Sequence, residues 1–519
     1  MVILTTTALI SIPMLVLFFG IMIAVGFYCR KHSTSVDGFV LGGRSVGPWL
    51  TAFAFGTSYF SAVIFVGYAG QFGWNFGLAS TWIGIGNAFI GSLLAWLVLG
   101  KRTRIMTQSL GSKTMPDFFE RRYDSSKLKI FASLIIFVFL IPYTASLYNG
   151  LSSLFNNVFE IDYWIIVVVM AVLTGVYVIF GGYMATAIND FIQGIIMLVG
   201  IIAVILAVLN DNNGLTQAVK SLGEVAGEKF ICPSGPNPLF LFFVVMLTSL
   251  GTWGLPQMIG KFYSIKDNRA VKKGTIISTI FAFVVAGGCY FLGGFGKLYQ
   301  NEMLAGGYIS ESGSVMYDKV VPTMLSNLAP VIVAIVIVLV LSASMSTLSS
   351  LVLTSSSTLT LDVIKPAVSN KKEFTDKKSV FVMRLFIVFF IVLSAVIAIL
   401  KDTIWKDSVF IAQMMGVSWG ALAGAFLAPF LYGLFWKKGT RVAVVSCFIF
   451  GTGLEIIQLC ISVGLFKFTD KVFCFIFTNS LYSGVFAMVG GLVLFPIISL
   501  LTQKTKPHNC EEKFACFKE

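Results

Sequence analysis

Hydroxyl side chains are concentrated in one apolar stretch of the chain, between Ser342 and Thr360. Of these 19 residues, 12 are serine or threonine. A few such residues can bond to carbonyls of their own helix or pack against a neighbour, but twelve exceed what packing needs. Hard cations prefer oxygen ligands, and hydroxyls supply them without a buried charge. Ser346, Ser349 and Ser350 are spaced so that they share one helix face. The pattern therefore favours a sodium site over helix packing alone.

Two acidic residues, Asp190 and Glu455, lie inside apolar segments. Carboxylates at membrane depth are costly and usually functional. Asp190 could balance a bound cation or carry a proton, and the alternative is a carboxylate hydrated among lipid headgroups. Glu455 either pairs with a neighbour or faces an oligomer contact, and it stays unassigned.

The composition sets the class of protein. The 519 residues are 57% hydrophobic and only 12% charged, with a mean hydropathy of +0.88. Soluble domains have about 25% charged residues. These values exclude a soluble enzyme, a nucleic-acid binder and a disordered scaffold. Eight cysteines without a CxxC pair, together with two histidines, give no zinc pattern. We therefore expect sodium as the only metal and no organic cofactor.

Hydropathy predicts an all-α polytopic membrane protein with about thirteen spanning helices, each requiring roughly 20 apolar residues. The predicted segments are 8–28, 47–70, 75–99, 128–154, 162–181, 184–209, 237–260, 274–297, 328–361, 381–400, 408–435, 442–465 and 473–500.

The distribution of basic residues predicts the orientation. Loops on one side, with adjoining helix ends, carry 29 of the 37 lysines and arginines, and those on the other side carry 8. Since Lys and Arg collect in cytoplasmic loops, the N-terminus is predicted outside and the C-terminus in the cytoplasm. The net charge of +13 is then explained without a nucleic-acid partner. The expected location is the plasma (inner) membrane.

Two segments are interrupted by residues that break helices. The second contains Gly56 beside hydroxyl residues, and the seventh contains Gly251, Gly254 and Pro256. Kinking for packing would explain either one alone. Paired broken helices at matching positions, however, indicate a transporter site near the membrane midplane. They predict two five-helix inverted repeats, 47–209 and 237–435, flanked by an extra helix in 1–46 and by two helices and a tail in 436–519.

Three motifs in the chain are similar to motifs of a known family. They are Gly42-Gly43-Arg44-Ser45 before the broken helix, Gly181-Gly182 leading to Asp190 and Gln193, and Met345–Ser350 leading to Leu361-Asp362. Together they resemble the sodium:solute symporter family along nearly the whole chain. The resemblance implies a common sodium site with five ligands: the carbonyls of Thr57, Phe60 and Ala343 and the hydroxyls of Ser346 and Thr347. It also implies a second sodium site, present in only some members, at Asp190, Ser346, Ser349 and Ser350.

The same resemblance does not identify the solute. Proline-carrying members have an aspartate at the position aligned with Tyr59 and aromatic residues at those aligned with Thr248 and Thr252. Sialic-acid members use a basic residue in the fourth helix, whereas 139–149 contains none. Candidate solute contacts are Tyr59, Ser61, Tyr143, Thr252, Trp253 and Gln257, although Tyr143 and Trp253 could equally be packing aromatics.

These observations predict a sodium-coupled secondary active symporter. It would import a small organic solute of the amino acid, sialic acid/sugar or carboxylate class by alternating access, functioning as a monomer. Proton coupling through Asp190 is the alternative within the class. A membrane solute sensor is less favoured, because the 18 residues from Thr502 are too few for a signalling domain. A membrane-embedded enzyme is disfavoured because no His/Asp/Glu cluster lies at membrane depth.

Overall fold

The computed structural model describes residues 6–159, 161–311, 313–326, 328–369, 374–404, 411–466 and 470–518. Within these ranges the chain is helical, and its β contacts are two isolated bridges, Val46 to Ile265 and Ile309 to Val315. The prediction of an all-α membrane protein is confirmed.

Long apolar helices account for most of the chain. They are α1 (Thr6–Cys29), α2 (Pro48–Tyr59), α3 (Val63–Ser109), α4 (Ser126–Phe159), α5 (Tyr163–Asp211), α6 (Pro238–Gly254), α7 (Pro256–Ser264), α8 (Asn268–Ala305), α9 (Pro330–Val368), α10 (Asp376–Ile404), α11 (Ile411–Phe435), α12 (Arg441–Ser462) and α13 (Ser480–Leu501). Shorter helices connect them, among them Val36–Leu41, Met115–Tyr123, Leu215–Ala226 and Val320–Ser326.

Among the described residues, ten helices are long and apolar enough to cross a membrane, or eleven if α6 and α7 form one bent span. The difference from thirteen arises partly because α5 has 49 residues. A straight helix of that length would measure about 74 Å, more than twice the hydrocarbon thickness. Gly182 interrupts it with φ 56° and ψ −148°, a backbone conformation that favours glycine. This break separates predicted segments 162–181 and 184–209. The count of thirteen and the orientation of the termini stay predictions.

The hydroxyl-rich stretch lies in the interior of the protein. Eleven of its twelve serine and threonine residues are buried, Thr354 being the exception, and in the most apolar part of α9 83% of the residues are buried, against 22% for α1. Helix α9 packs against α1, α2, α4 and α5, and α11 packs against α12 and α13. The hydroxyls of α9 therefore face protein rather than lipid.

Two breaks with matching backbone conformations interrupt the second and seventh predicted segments. Phe60, after α2, has φ −80° and ψ 116°, and Leu255, between α6 and α7, has φ −83° and ψ 120°. Helices α6 and α7 are bent by 46° at this point. Backbone bonds through Val46 join the far ends of the short half-helices: its N–H donates to the Ser264 carbonyl at 3.2 Å, and its carbonyl accepts from Lys266 N–H at 3.1 Å. The predicted broken helices are confirmed, whereas the repeat boundaries stay predictions.

Candidate cation and solute sites

The first break leaves backbone carbonyls available at the end of α2. The last ladder bond runs from the Phe60 N–H to the Gly56 carbonyl at 3.1 Å, and bonding resumes from Ile64 to the Ser61 carbonyl at 3.0 Å. The C-terminus of a helix carries partial negative charge on such carbonyls. Gly56 is required here, because an added Cβ would lie 2.3 Å from the ring of Phe281. The end of α2 is therefore suited to binding a cation.

All five oxygens predicted for the common sodium site meet at this break. The Thr347 hydroxyl oxygen lies 3.1 Å from the Thr57 carbonyl, 3.3 Å from the Phe60 carbonyl and 3.1 Å from the Ala343 carbonyl. The Ser346 hydroxyl oxygen lies 3.3 Å from the Thr57 carbonyl and 3.1 Å from the Ala343 carbonyl. These five residues are at most 1% exposed.

This arrangement has more acceptors than donors. Two hydroxyls can donate two protons, yet three carbonyls surround them in five close contacts. An unmatched carbonyl in a buried site is costly. A bound cation would contact all five oxygens and remove the mismatch. The geometry suits a monovalent ion with oxygen ligands, and its identity as sodium stays a prediction.

The second predicted cation site is organised around a residue that the sequence analysis did not include. The ammonium of Lys261 lies 3.5 Å from Asp190 Oδ2 and donates to the Ser350 hydroxyl at 3.0 Å. Ser349 donates to the Ser346 carbonyl in its own helix at 2.9 Å. Asp190 is fully buried, so the interpretation as a carboxylate hydrated among headgroups is wrong. The second sodium site itself stays a prediction.

The predicted segments 237–260 and 274–297 place Lys261 in the loop between them, 261–273, which belongs to the predicted cytoplasmic set, and this placement is wrong. Lys261 lies inside α7 and is 3% exposed. Hydropathy placed it outside because a lysine ends an apolar window, whereas here its charge is balanced by Asp190. Moving one lysine out of the set of 29 leaves the charge asymmetry intact.

Tyr59 lines the candidate solute pocket. Its hydroxyl accepts a hydrogen bond from the side chain of Asn87, which in turn accepts from Ser249 at 3.0 Å. A pocket beside it is formed by α2, α3, α8 and the second break. It is lined by Phe55, Gly56, Tyr59, Phe60, Asn87, Gly91, Ser92, Thr252, Met258, Ser278, Phe281, Ala282, Val285 and Ala286. None of these lining residues is charged.

Aromatic residues extend this region toward α4 and α11. The ring of Trp419 lies 5.5 Å from that of Tyr59 and 6.2 Å from that of Tyr143. The Tyr143 hydroxyl lies beside the Ser61 hydroxyl and the Trp419 Nε1, and all three polar atoms are buried. Buried polar groups are normally paired. These three groups therefore form a polar cluster next to Tyr59, outside the lining of the pocket itself.

The other candidate solute residues lie elsewhere or have structural contacts. Trp253 donates to the Ile90 carbonyl at 2.9 Å, and Thr252 donates to the Ser249 carbonyl at 2.8 Å. The Trp253 bond and the 3.3 Å contact of the Thr252 hydroxyl with the Gly91 carbonyl join the second break to α3, and Thr252 also lines the pocket beside Tyr59. Gln257 lines a separate pocket with Lys261 and Ser350, and its amide has no partner among the described residues. Sequence reasoning missed Asn87 and Trp419, because a lone Asn and a lone Trp in apolar helices give no pattern.

Glu455 has a partner within the same chain. The Ser483 hydroxyl donates to its Oε1 at 2.8 Å. The carboxyl packs against Gly420, where an added Cβ would lie 2.2 Å from Oε1. Glu455 therefore links α12 to α11 and α13.

Comparisons with known proteins bear on the family and the fold of the chain. The sequence profile of the sodium:solute symporter family matches residues 39–451. The chain is 30% identical over 457 residues to a sodium/proline symporter of Staphylococcus aureus (strain JH9), covering 86% of this chain and 85% of the relative. A solved structure of a substrate-bound, outward-open Na+-coupled sialic acid symporter shares the fold. Its TM-score is 0.77 at 16% identity, with 95% of this chain and 97% of the other covered.

Proposed function

Because the chain belongs to the sodium:solute symporter family, a family of membrane transporters rather than enzymes, we propose that it imports a small neutral or zwitterionic solute. A sodium ion bound at the common site drives this uptake. The ligands of the ion are the carbonyls of Thr57, Phe60 and Ala343 and the hydroxyls of Ser346 and Thr347. The observation that carries this proposal is the convergence of these five oxygens at the break after α2.

The driving force follows from the charge of the ion. At a membrane potential of −100 mV, each sodium ion gains about 2.3 kcal/mol on entering the cell. The ion joins the end of α2 to the middle of α9, two elements that share no other charge at this point. Its binding therefore stabilises one arrangement of these helices, as alternating access requires.

The walls of the pocket define the solute class. The residues around Tyr59 present hydroxyls and one amide beside apolar side chains, without a fixed charge. A solute with a net charge would be left uncompensated in this pocket. Phe60 lines the pocket and also contributes its carbonyl to the cation site. A zwitterion can therefore turn its carboxylate toward the ion and its apolar part toward Phe281, which favours an amino-acid-sized solute.

All five ligands of the common site and all residues lining the solute pocket come from one chain. We propose that the monomer is the functional unit.

Uptake by reconstituted proteoliposomes tests the proposal. A panel of radiolabelled amino acids, sugars and monocarboxylates is offered with an inward gradient of sodium or of choline, at pH 6 and pH 8. We expect accumulation of a zwitterionic solute in sodium only. Accumulation driven by a proton gradient without sodium would instead support proton coupling.

Tyr59→Phe examines the pocket itself. This change removes the hydroxyl that accepts from Asn87 but retains the ring against Trp419. We expect the KM for the solute to rise about tenfold, as loss of a buried hydrogen bond allows. Tyr28→Phe is the matched control, since Tyr28 is 67% exposed on α1. Equal solute KM values for both variants would contradict the placement of the pocket.

A further inference from the structure

Lys261 lies where a second cation is predicted. Its ammonium is close to two of the four residues predicted to bind the second sodium, at 3.5 Å from Asp190 Oδ2 and 3.0 Å from Ser350 Oγ. The ring of Tyr183 lies beneath it, with its centroid 5.3 Å from the ammonium nitrogen. Three different helices, α5, α7 and α9, contribute to this buried cluster.

The charges of the cluster are already balanced. Asp190 and Lys261 are 0% and 3% exposed, and together they are neutral. A sodium ion added beside them would leave an uncompensated positive charge at low dielectric, which costs several kcal/mol. Asp190 alone, in contrast, would have to bind either a cation or a proton. The lysine therefore removes the electrostatic reason for a second ion.

The directions of the hydroxyls support the same conclusion. Ser58 donates to the Ala54 carbonyl at 2.6 Å, so in its 2.9 Å contact with Ser350 it accepts. Ser350 then donates to Ser58 and accepts from Lys261. Ser349 donates to the Ser346 carbonyl. The Ser350 oxygen is therefore occupied by the ammonium, and this chain of bonds begins at Lys261.

We propose that the Lys261 ammonium is a tethered cation that takes the place of a second sodium between Asp190 and Ser350. The transporter then binds one sodium ion per cycle, at the common site. This inference rests on the proposed sodium-coupled function. It assigns Lys261 a role in ion stoichiometry.

The cluster is reachable by ions when the lysine is removed. Lys261 and Ser350 line a pocket that also includes Lys113 and Thr114, from a connection predicted to be cytoplasmic. Lys261→Met retains the aliphatic part of the side chain and leaves the Asp190 carboxylate without a partner. Sodium from that pocket can then occupy the vacated position.

The experiment counts bound sodium ions. Equilibrium dialysis of the purified full chain with radioactive sodium, without solute, gives ions per protein for each variant. We expect one ion for the wild type, two for Lys261→Met and one for Lys261→Arg. The double variant Lys261→Met/Asp190→Asn should return to one, because the new site loses its charge. Lys266→Met is the matched control, since Lys266 is half exposed outside the cluster, and it should bind one.

Several results separate the inference from the proposed function. Two ions bound to the wild type would overturn the inference, even if Lys261→Met fails to fold. A folded Lys261→Met that binds no more sodium than the wild type would also overturn it. Thr347→Val should lower the count by one in both the wild-type and Lys261→Met backgrounds. If the wild type binds none, the proposed function fails, whereas one ion gained by Lys261→Met and lost in the double variant still supports the inference.

Discussion

The hydroxyl oxygen of Thr347 lies 3.1 Å from the carbonyl oxygen of Thr57, although 290 residues separate them in the chain. One residue lies at the C-terminal end of a broken helix, and the other lies in the middle of an unbroken, buried helix. The contact therefore joins the two predicted repeats at their candidate ion site. Anything that separates α2 from α9 would open this site.

Replacing Thr347 by valine tests the contribution of its hydroxyl. The change preserves shape but removes one oxygen ligand, and a hydrogen bond or ligand contact to a charged group contributes about 1.5–3 kcal/mol. We expect the sodium concentration for half-maximal uptake to rise at least tenfold. Thr347→Ser retains the hydroxyl and should change it much less. Identical sodium dependence in both variants would refute the assignment of the site.

Replacing Ser346 by alanine tests the second hydroxyl of the common sodium site. Ser346 contacts the Thr57 and Ala343 carbonyls, and its loss leaves no charge unpaired. The free energy of unfolding should therefore fall by no more than about 1–2 kcal/mol. Uptake measured against sodium should shift in the same direction as for Thr347→Val. A folded variant with wild-type sodium affinity would exclude Ser346 as a ligand.

The predicted topology places three exposed positions on defined sides of the membrane. Single cysteines are introduced at Lys272, Gly306 and Lys377 in a background without the eight native cysteines. We expect an impermeant thiol reagent to label positions 272 and 377 from the cytoplasmic side and position 306 from outside. The reason is the concentration of Lys and Arg around the first two positions. Labelling of positions 306 and 377 from the same side would contradict the thirteen-helix topology.

Much of the fold could be predicted because two of its signals lie in neighbouring residues of the sequence. These are the length of each apolar segment and the number of lysines and arginines in each loop. The five oxygens of the common site came from a motif resemblance, and the structure brings them together. Lys261 was misplaced for a physical reason: hydropathy assigns a fixed cost to a lysine, and Asp190, 71 positions earlier, offsets that cost only in three dimensions. The contribution of Trp419 likewise depends on rings from α2 and α4 that meet only in the folded chain.

Close backbone packing at Gly73 predicts that Gly73→Ala lowers the stability of the protein strongly. An added Cβ would lie 1.9 Å from the Gly293 carbonyl oxygen, and backbone cannot move aside as a side chain can. Overpacking of this kind costs about 1–3 kcal/mol or more. Gly287→Ala is the matched control, because nothing lies within 4 Å of its added Cβ. Thermal unfolding in detergent should show a lower Tm for the first variant only. Equal Tm values would mean that α3 and α8 are not in contact at Gly73.

The last prediction concerns a buried network of charges around Lys129, near the side predicted to be cytoplasmic. Its ammonium lies 3.1 Å from Asp117 Oδ1, 2.8 Å from Glu120 Oε2 and 3.6 Å from Asp362 Oδ1. Thr114 donates to the other oxygen of Asp362 at 2.6 Å. Lys129 thus contacts three carboxylates from two helical elements, Met115–Tyr123 and α9, and Asp117 has Arg121 as a second cationic partner at 3.1 Å.

Lys129→Met should therefore destabilise the protein strongly, because it removes the cation beside the buried Asp362 and leaves that carboxylate uncompensated, at a cost of about 3 kcal/mol. Adding Asp362→Asn should recover part of the loss, since it removes the most buried of the three negative charges. Lys127→Met, at a neighbouring exposed position, is the control and should have little effect. Thermal unfolding of the four proteins measures these differences. If the double variant is no more stable than Lys129→Met, then Lys129 and Asp362 are not energetically coupled, and the lysine acts mainly through Asp117 and Glu120.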